Sequence, residues 1–480
     1  MPMSEVKENA GDAGWSELLD PRYSAATTTL CLGVALFAFN GFLVSTSLPT
    51  AVREIGGLEL ISWAFTLYLV LSIVGGASGA LLKGRFGART TLVGSGLIFL
   101  LGTLIAAFAS SMPEVLLGRA LQGLGEGIIA AICYALIPEL FPSRLVAKVF
   151  GAEALVWATA AFGGPLASGL LTEHFSWRAA FLVNVPLGLI FIALVLRIVP
   201  KFSGEVSRPS VPIFRLAAIG TGIMLVALAG IANNLGLEVM FVAAAALVLI
   251  CVIVLDRRSH TPLFPSDAFA LNSTVGIGLW VVLLMPVAQA STSVYLVMTL
   301  QDLWSYGPTK AGAFSATFAI AWSTCAILVA NIQSPSRRAF LIRLGPALLV
   351  AGLAVIVLGF SLDIPLVVML GQMSIGTGFG VSWGFLSQNV MEAARSGERD
   401  RASALLPTLQ SAGYAIGAAV AGLTANAAGY PDATTPDALR DATITIFTVS
   451  AIIGLGAMIA GFALPLRKKN PLAIELHKPL

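Results

Sequence analysis

The sequence predicts an all-α polytopic membrane protein of fourteen transmembrane helices, and three observations carry that prediction. First, fourteen stretches of roughly 20 apolar residues follow one another from Ala25 to Leu466, separated by short polar loops. Each is long enough to cross a hydrocarbon core of about 30 Å as a helix rising ~1.5 Å per residue. Second, hydrophobic residues make up 57% of the chain and charged residues 11%, against about 25% charge in soluble globular domains. Third, if alternate loops share a side, 23 of the 28 Lys and Arg lie on one side. The other side carries Arg53, Arg178, Lys310 and Arg440, and Arg119 lies inside a span. The positive-inside rule then puts both termini in the cytosol, which requires an even number of spans.

The spans are predicted at 25–51, 59–82, 90–110, 114–138, 147–171, 179–199, 215–236, 238–255, 272–299, 310–332, 341–362, 364–389, 402–426 and 442–466. Residues 1–24 are polar and acid-rich, with no basic start or cleavable apolar core, and read as a cytosolic tail. Basic turns recur after the second span (Lys83 to Arg89) and the tenth (Ser336 to Arg343). Their equivalence suggests a repeat. The organisation is then a six-helix bundle over 25–199, an inserted helix pair with flanking cytosolic loops over 200–271, a second six-helix bundle over 272–466, and a cytosolic tail over 467–480. Cys31, Cys133, Cys251 and Cys325 sit in apolar spans without metal-ligand spacing and read as packing residues. His174, His260 and His477 lie in loops or the tail, so histidine carries no proton at membrane depth.

The fourth span holds the sharpest constellation. Arg119, Gln122 and Glu126 stand at i, i+3 and i+7 and share one helix face. Glu126 lies near the middle of the span, where burying a charge costs about 2.5–3.5 kcal/mol even on the lenient insertion scale. Burial favours its neutral form, whereas a bridging Arg119 would favour the ionised one. A carboxylate held between those pulls can take up and release a proton; the alternative is a static polar clamp. Glu153, just inside the fifth span, is expected near Lys148 and the basic Lys83–Arg89 turn, as a gating residue or a salt-bridged interface residue. Further on, Gly163, Gly164, Pro165 and Gly169 combine an interrupted hydrogen-bond ladder with room for a close crossing. Asn40, Asn233, Asn234, Gln289, Gln372, Gln388 and Gln410 are polar groups placed where a cavity could lie. Tyr134, Trp157, Tyr295, Trp322, Trp383 and Tyr414 offer aromatic walls to an apolar ligand, or simply fill the core. Trp177 and Trp304 read as interfacial anchors.

GRALQGLGEG (Gly118 to Gly127) resembles the fourth-helix motif of the major facilitator superfamily, with Arg119, Gln122 and Gly123 at its signature positions. AAFGGPLASG (Ala160 to Gly169) resembles the fifth-helix antiporter motif of its exporters. With Leu48 to Thr50, Trp177 to Gly188 and fourteen spans, the chain is similar from about 25 to 466 to the fourteen-helix drug:proton antiporter family. The resemblance implies a major facilitator fold in a 6+2+6 arrangement, alternating access, and export of amphipathic compounds driven by proton entry. It implies that Arg119 takes part in proton coupling and that Gly164 and Pro165 bias direction at a helix-5 interface. Arg85 and Arg89 fall in the family's charged inner loop, but Gly84 stands where an aspartate is usual and Ala88 replaces a basic residue. Asn40 stands where helix 1 usually carries an acid, which points away from ordinary cation export and leaves Glu126 as the midplane carboxylate.

The expectation is a transporter of the inner (cytoplasmic) membrane, with the proton as coupling ion and no cofactor or metal. Its partners are lipid, a small-molecule substrate and, as an option, a periplasmic adaptor, with no nucleic acid and no need of a second subunit. Uptake or facilitated diffusion of a metabolite or siderophore-like chelate is the alternative transport reading; a non-transporting receptor or scaffold is the alternative of another class. Enzymatic chemistry is disfavoured: there is no Gly-rich Lys nucleotide motif, no metal cluster and no nucleophile paired with histidine at membrane depth.

Overall fold

The structure is a computed structural model that describes residues 15–201, 213–232, 234–259, 262, 264–395 and 398–465. Asn233, His260, His477 and the tail over 467–480 lie outside the described residues. Among the described residues every regular element is helical, in the order α1 (Pro21–Ile55), α2 (Ile61–Phe86), α3 (Ala88–Ala107), α4 (Met112–Leu140), α5 (Ser143–His174), α6 (Trp177–Leu182), α7 (Asn184–Ile198), α8 (Ile213–Ala229), α9 (Leu235–Arg257), α10 (Thr274–Ser291), α11 (Val297–Trp304), α12 (Pro308–Val329), α13 (Pro335–Ser361), α14 (Pro365–Ala393), α15 (Arg399–Ala427) and α16 (Pro436–Ala463). Twelve stretches are long and apolar enough to cross a membrane, with α6 and α7 joined into one and α10 and α11 into another. The chain is an integral membrane protein. The other two predicted spans are also helical, but α8 is short at 17 residues. Helix α15 has the length but is more polar, carrying Thr408, Gln410 and Ser411 into its apolar run.

Capping follows ordinary rules. Asn234, Ser273 and Thr435 accept hydrogen bonds from the first turns of α9, α10 and α16, and proline opens α1, α4, α12, α13, α14 and α16, where its missing N–H costs nothing. A π-helical segment, Thr292–Leu296, joins α10 to α11. Within the span predicted as a tail, a 3-10 turn at Trp15–Leu19 buries Leu18, and α1 begins at Pro21 behind Asp20.

The helices form two bundles, α1–α7 and α10–α16, whose cores are separate in their lower halves and shared at one end. The shared core joins Val44, Leu48 and Phe65 to Val294, Tyr295, Ala418 and Tyr430. The rings of Tyr295 and Tyr430 meet edge to face at 5.2 Å, a geometry that contributes roughly 0.5–1.5 kcal/mol beyond area burial. Polar contacts reinforce this end. Arg53 on α1 bonds Asp302 at 2.5 Å and Gln301 at 2.7 Å on α11. Glu173 on α5 accepts from the Thr309 amide, and Asn426 on α15 donates to the Glu59 carbonyl. Trp177, predicted as an interfacial anchor, is instead fully buried and donates to Glu54 at 2.8 Å; Trp304 donates to Asp363 at 2.7 Å. Helix α8 fills the seam between α2 and α15, where Leu216 and Ile223 pack on Val70, Ile73 and Ala412. Its partner α9 is held to it by the Arg215–Asp256 ion pair.

At the opposite end, rich in Lys and Arg, three polar contacts stay within one bundle or tie the α9–α10 loop to the second. Lys83 pairs with Glu139, Arg338 donates to Gln388, and Ser266 bonds Glu398. The bundles therefore meet at one end and part toward the other.

Candidate functional site

Between the bundles lies a cavity of about 1590 Å³. Helices α5 and α12 touch near the sealed end, where Gly312 faces the Pro165 carbonyl and Gly169 faces Thr309. Further along, Leu155 and Ile327 line the cavity from either side and are strongly exposed. The second bundle supplies an aromatic wall: Trp322 packs on Phe318 at 5.5 Å and on Phe379 at 4.9 Å, and Phe379 stacks on Trp383 at 5.6 Å. The first bundle supplies Phe37, whose ring meets Trp157 edge-on at 5.7 Å. Among the described residues Arg119 is the one charged side chain in the lining, and no carboxylate is exposed there.

Arg119 is held on α4 with about 1% exposure. Its Nε donates to the Ala64 carbonyl at 3.2 Å, its Nη1 to Gln122 Oε1 at 2.8 Å, and its guanidinium lies 3.9 Å from the Tyr68 ring centroid. A desolvated cation–π contact of this kind is worth about 2 kcal/mol or more. Gln122 passes the chain on to Thr103 at 2.9 Å and Asn40 at 3.5 Å, and Asn184 donates to Asn40 at 3.3 Å. The bridge between Arg119 and Glu126 that the shared helix face suggested is not formed. Glu126 instead accepts from the Tyr68 hydroxyl at 2.6 Å through Oε2, while Oε1 has no partner. Tyr68 thus touches the cation with its ring and the acid with its hydroxyl.

A sequence cause for that arrangement sits on α4. A Cβ on Gly123 would meet the Tyr68 carbonyl, and one on Gly127 the Ser72 carbonyl, so glycine at both positions lets the α2 backbone lie directly against α4. Any side chain there would lift Tyr68 away from the two residues it joins.

Of the predicted cavity residues, Tyr134, Trp157, Gln289, Trp322, Gln372, Trp383, Gln410 and Tyr414 line the cavity. Two do not. Asn40 is buried inside the Gln122–Asn184 network, and Tyr295 is buried in the sealed end against Tyr430. Gln289 precedes the π segment and donates to Thr292 at 2.9 Å within it. The predicted charge network does not assemble either. Lys83 pairs with Glu139, the Arg85 guanidinium lies over its neighbour Phe86, and neither Arg85 nor Arg89 pairs with Glu153. Both Glu153 oxygens are buried without a hydrogen-bond partner. In the glycine–proline segment, Gly169 and Gly164 are needed for close contact with Thr309 and Phe42, whereas Gly163 has only an ordinary contact with Phe39. Tyr68, Thr103 and Asn184 were not anticipated. A tyrosine inside an apolar span is an audible signal for Tyr68, but its partner on another helix was not.

Two helical bundles around a central cavity, with a buried cation and acid beside it, define a membrane transporter rather than an enzyme. Residues 30–418 match the Major Facilitator Superfamily. A probable multidrug-efflux transporter of Mycobacterium tuberculosis is 31% identical over 442 residues, covering 88% of this chain and 92% of that protein. The multidrug efflux pump SdrM of Staphylococcus aureus is 22% identical over 84% of this chain and 90% of its own length. Among solved structures, a D-xylose-proton symporter superposes with a TM-score of 0.63 at 17% identity, over 93% of this chain and 98% of its own. A peptide transporter with bound sulfate gives 0.65 at 17% identity, over 94% of both chains. The chain belongs to the major facilitator superfamily.

Proposed function

We propose that this protein is a proton-coupled exporter of small amphipathic compounds, working by alternating access. In this reading fourteen helices cross the membrane in a 6+2+6 arrangement, with α8 and α9 as the inserted pair. The Lys- and Arg-rich end, where the cavity widens, faces the cytosol with both termini, and the membrane is the inner one. One chain encloses the path, so a monomer suffices. The efflux transporters among its relatives support export, and the apolar, aromatic lining supports an amphipathic substrate.

The observation that carries the coupling is the Glu126–Tyr68–Arg119 arrangement at the cavity wall. Glu126 is an acid at mid-depth that accepts a hydrogen bond from Tyr68, has the Asn40 amide close by and has no direct counter-ion. Such a group is cheap to protonate and costly to leave ionised in an apolar site. A proton taken up from one side and released to the other as the bundles rock supplies the driving force.

The test uses proteoliposomes with an imposed pH gradient and three probes: tetraphenylphosphonium, an uncharged aromatic amine and an anionic siderophore-like chelate. Glu126→Gln should abolish gradient-driven accumulation of the transported probe while exchange across equal pH survives. Full accumulation by that variant sinks the coupling assignment.

A further inference from the structure

Glu153 is a second buried acid in the first bundle. It is 1% exposed, and neither carboxylate oxygen has a hydrogen-bond partner. Among the described residues, the titratable groups facing it are thiols and a phenol: Cys31 from α1, and Cys133 and Tyr134 from α4. Lys148, five residues earlier on α5, makes no ion pair with it. The Trp15–Leu19 turn that packs on α5 carries no basic residue of its own. Gly151 and Leu155, two residues to either side of Glu153 on α5, line the cavity, as does Tyr134.

An ionised carboxylate with neither a counter-ion nor a donated hydrogen bond is among the least tolerable groups in an apolar interior; it neutralises instead. We propose that Glu153 is a second proton-binding site, loaded in the conformation whose basic end is open. The step is simple: one H⁺ from cavity water adds to a carboxylate oxygen, and no other bond forms or breaks. Its consequence, a second proton carried in each cycle, rests on the proton-coupled reading above, whereas the protonation itself does not.

The experiment is infrared difference spectroscopy of the full-length protein in nanodiscs as pH is raised from neutral to alkaline. The wild type should lose two protonated-carboxyl C=O bands, one of them at the high frequency of an acid without hydrogen bonds. Glu153→Gln should remove that high-frequency band and Glu126→Gln the other. Glu153→Asp, which keeps an acid in place, should shift the same band if the glutamine variant fails to fold. A spectrum unchanged by either Glu153 variant overturns the proposal. Proton release per transported tetraphenylphosphonium, or whichever probe is carried, should fall by half in Glu153→Gln. If the wild type shows the Glu153 band but no proton-driven transport, the coupling reading fails and the second site stands.

Discussion

The Tyr68 hydroxyl reaches Glu126 Oε2 at 2.6 Å across the α2–α4 contact. The same ring lies under the Arg119 guanidinium at 3.9 Å. A cation and an acid two helical turns apart are thus coupled through a neutral side chain of a different helix. Direct pairing would hold the acid ionised; mediation by a phenol leaves it free to change its proton.

Tyr68→Phe separates the two roles. The ring stays under Arg119, while Glu126 loses the phenol hydrogen bond, worth about 0.5–1.5 kcal/mol to the neutral acid and about 1.5–3 kcal/mol to the carboxylate. Proton-driven transport in everted vesicles should fall by roughly tenfold or more, with tetraphenylphosphonium binding changed by less than about threefold. Wild-type transport by this variant would remove Tyr68 from the mechanism.

The fifth-helix glycines should not be equivalent. A Cβ at Gly169 would lie 2.5 Å from Thr309 Cα, a backbone atom that cannot rotate away, whereas at Gly163 the nearest atom is 3.9 Å off. Gly169→Ala must push α5 from α12, at a cost of about 1–3 kcal/mol by overpacking, and should reduce transport strongly. Gly163→Ala should retain it and lose little thermal stability. Equal loss in both variants would mean that the motif acts through something other than this crossing.

The Arg53–Asp302 pair offers a way to bias the two conformations. Its side chains are 42% and 25% exposed, so solvent screens it and its worth is about 0.2–1 kcal/mol. Asp302→Asn should accordingly raise labelling of a cysteine placed at Ser293, in the cavity lining, from the sealed side by about two- to fivefold in a cysteine-free background. Unchanged labelling would show that apolar packing around Tyr295 and Tyr430 alone holds that end shut.

Much of the site was legible because it lies on one helix. Arg119, Gln122 and Glu126 share a face by helical period, and a charge at mid-span stands out against apolar neighbours. The aromatic wall was legible as a set of residue types, but not as a surface. Trp322 and Trp383 line the cavity while Tyr295 plugs the sealed end, and composition is the same in both places. Glu153 stood between a gating and a salt-bridged reading for a related reason. Its proximity in sequence to Lys148 suggested a salt bridge, yet its rotation on α5 turns it toward Cys31 and Cys133 instead.

The chain by itself determined its membrane class, the approximate helix boundaries and the uneven sides, since these follow from local hydropathy, length and charge. Glycines at 75, 123 and 127 remove the atoms that would keep α2 and α4 apart, but that these two helices meet there is a property of the structure. Only the tertiary structure decided which groups meet: Tyr68 between cation and acid, Asn40 in a buried amide chain, Glu153 without a partner. Helix rotation and tilt come from the summed packing of many side chains on several neighbours, and a periodic pattern leaves that angle undetermined.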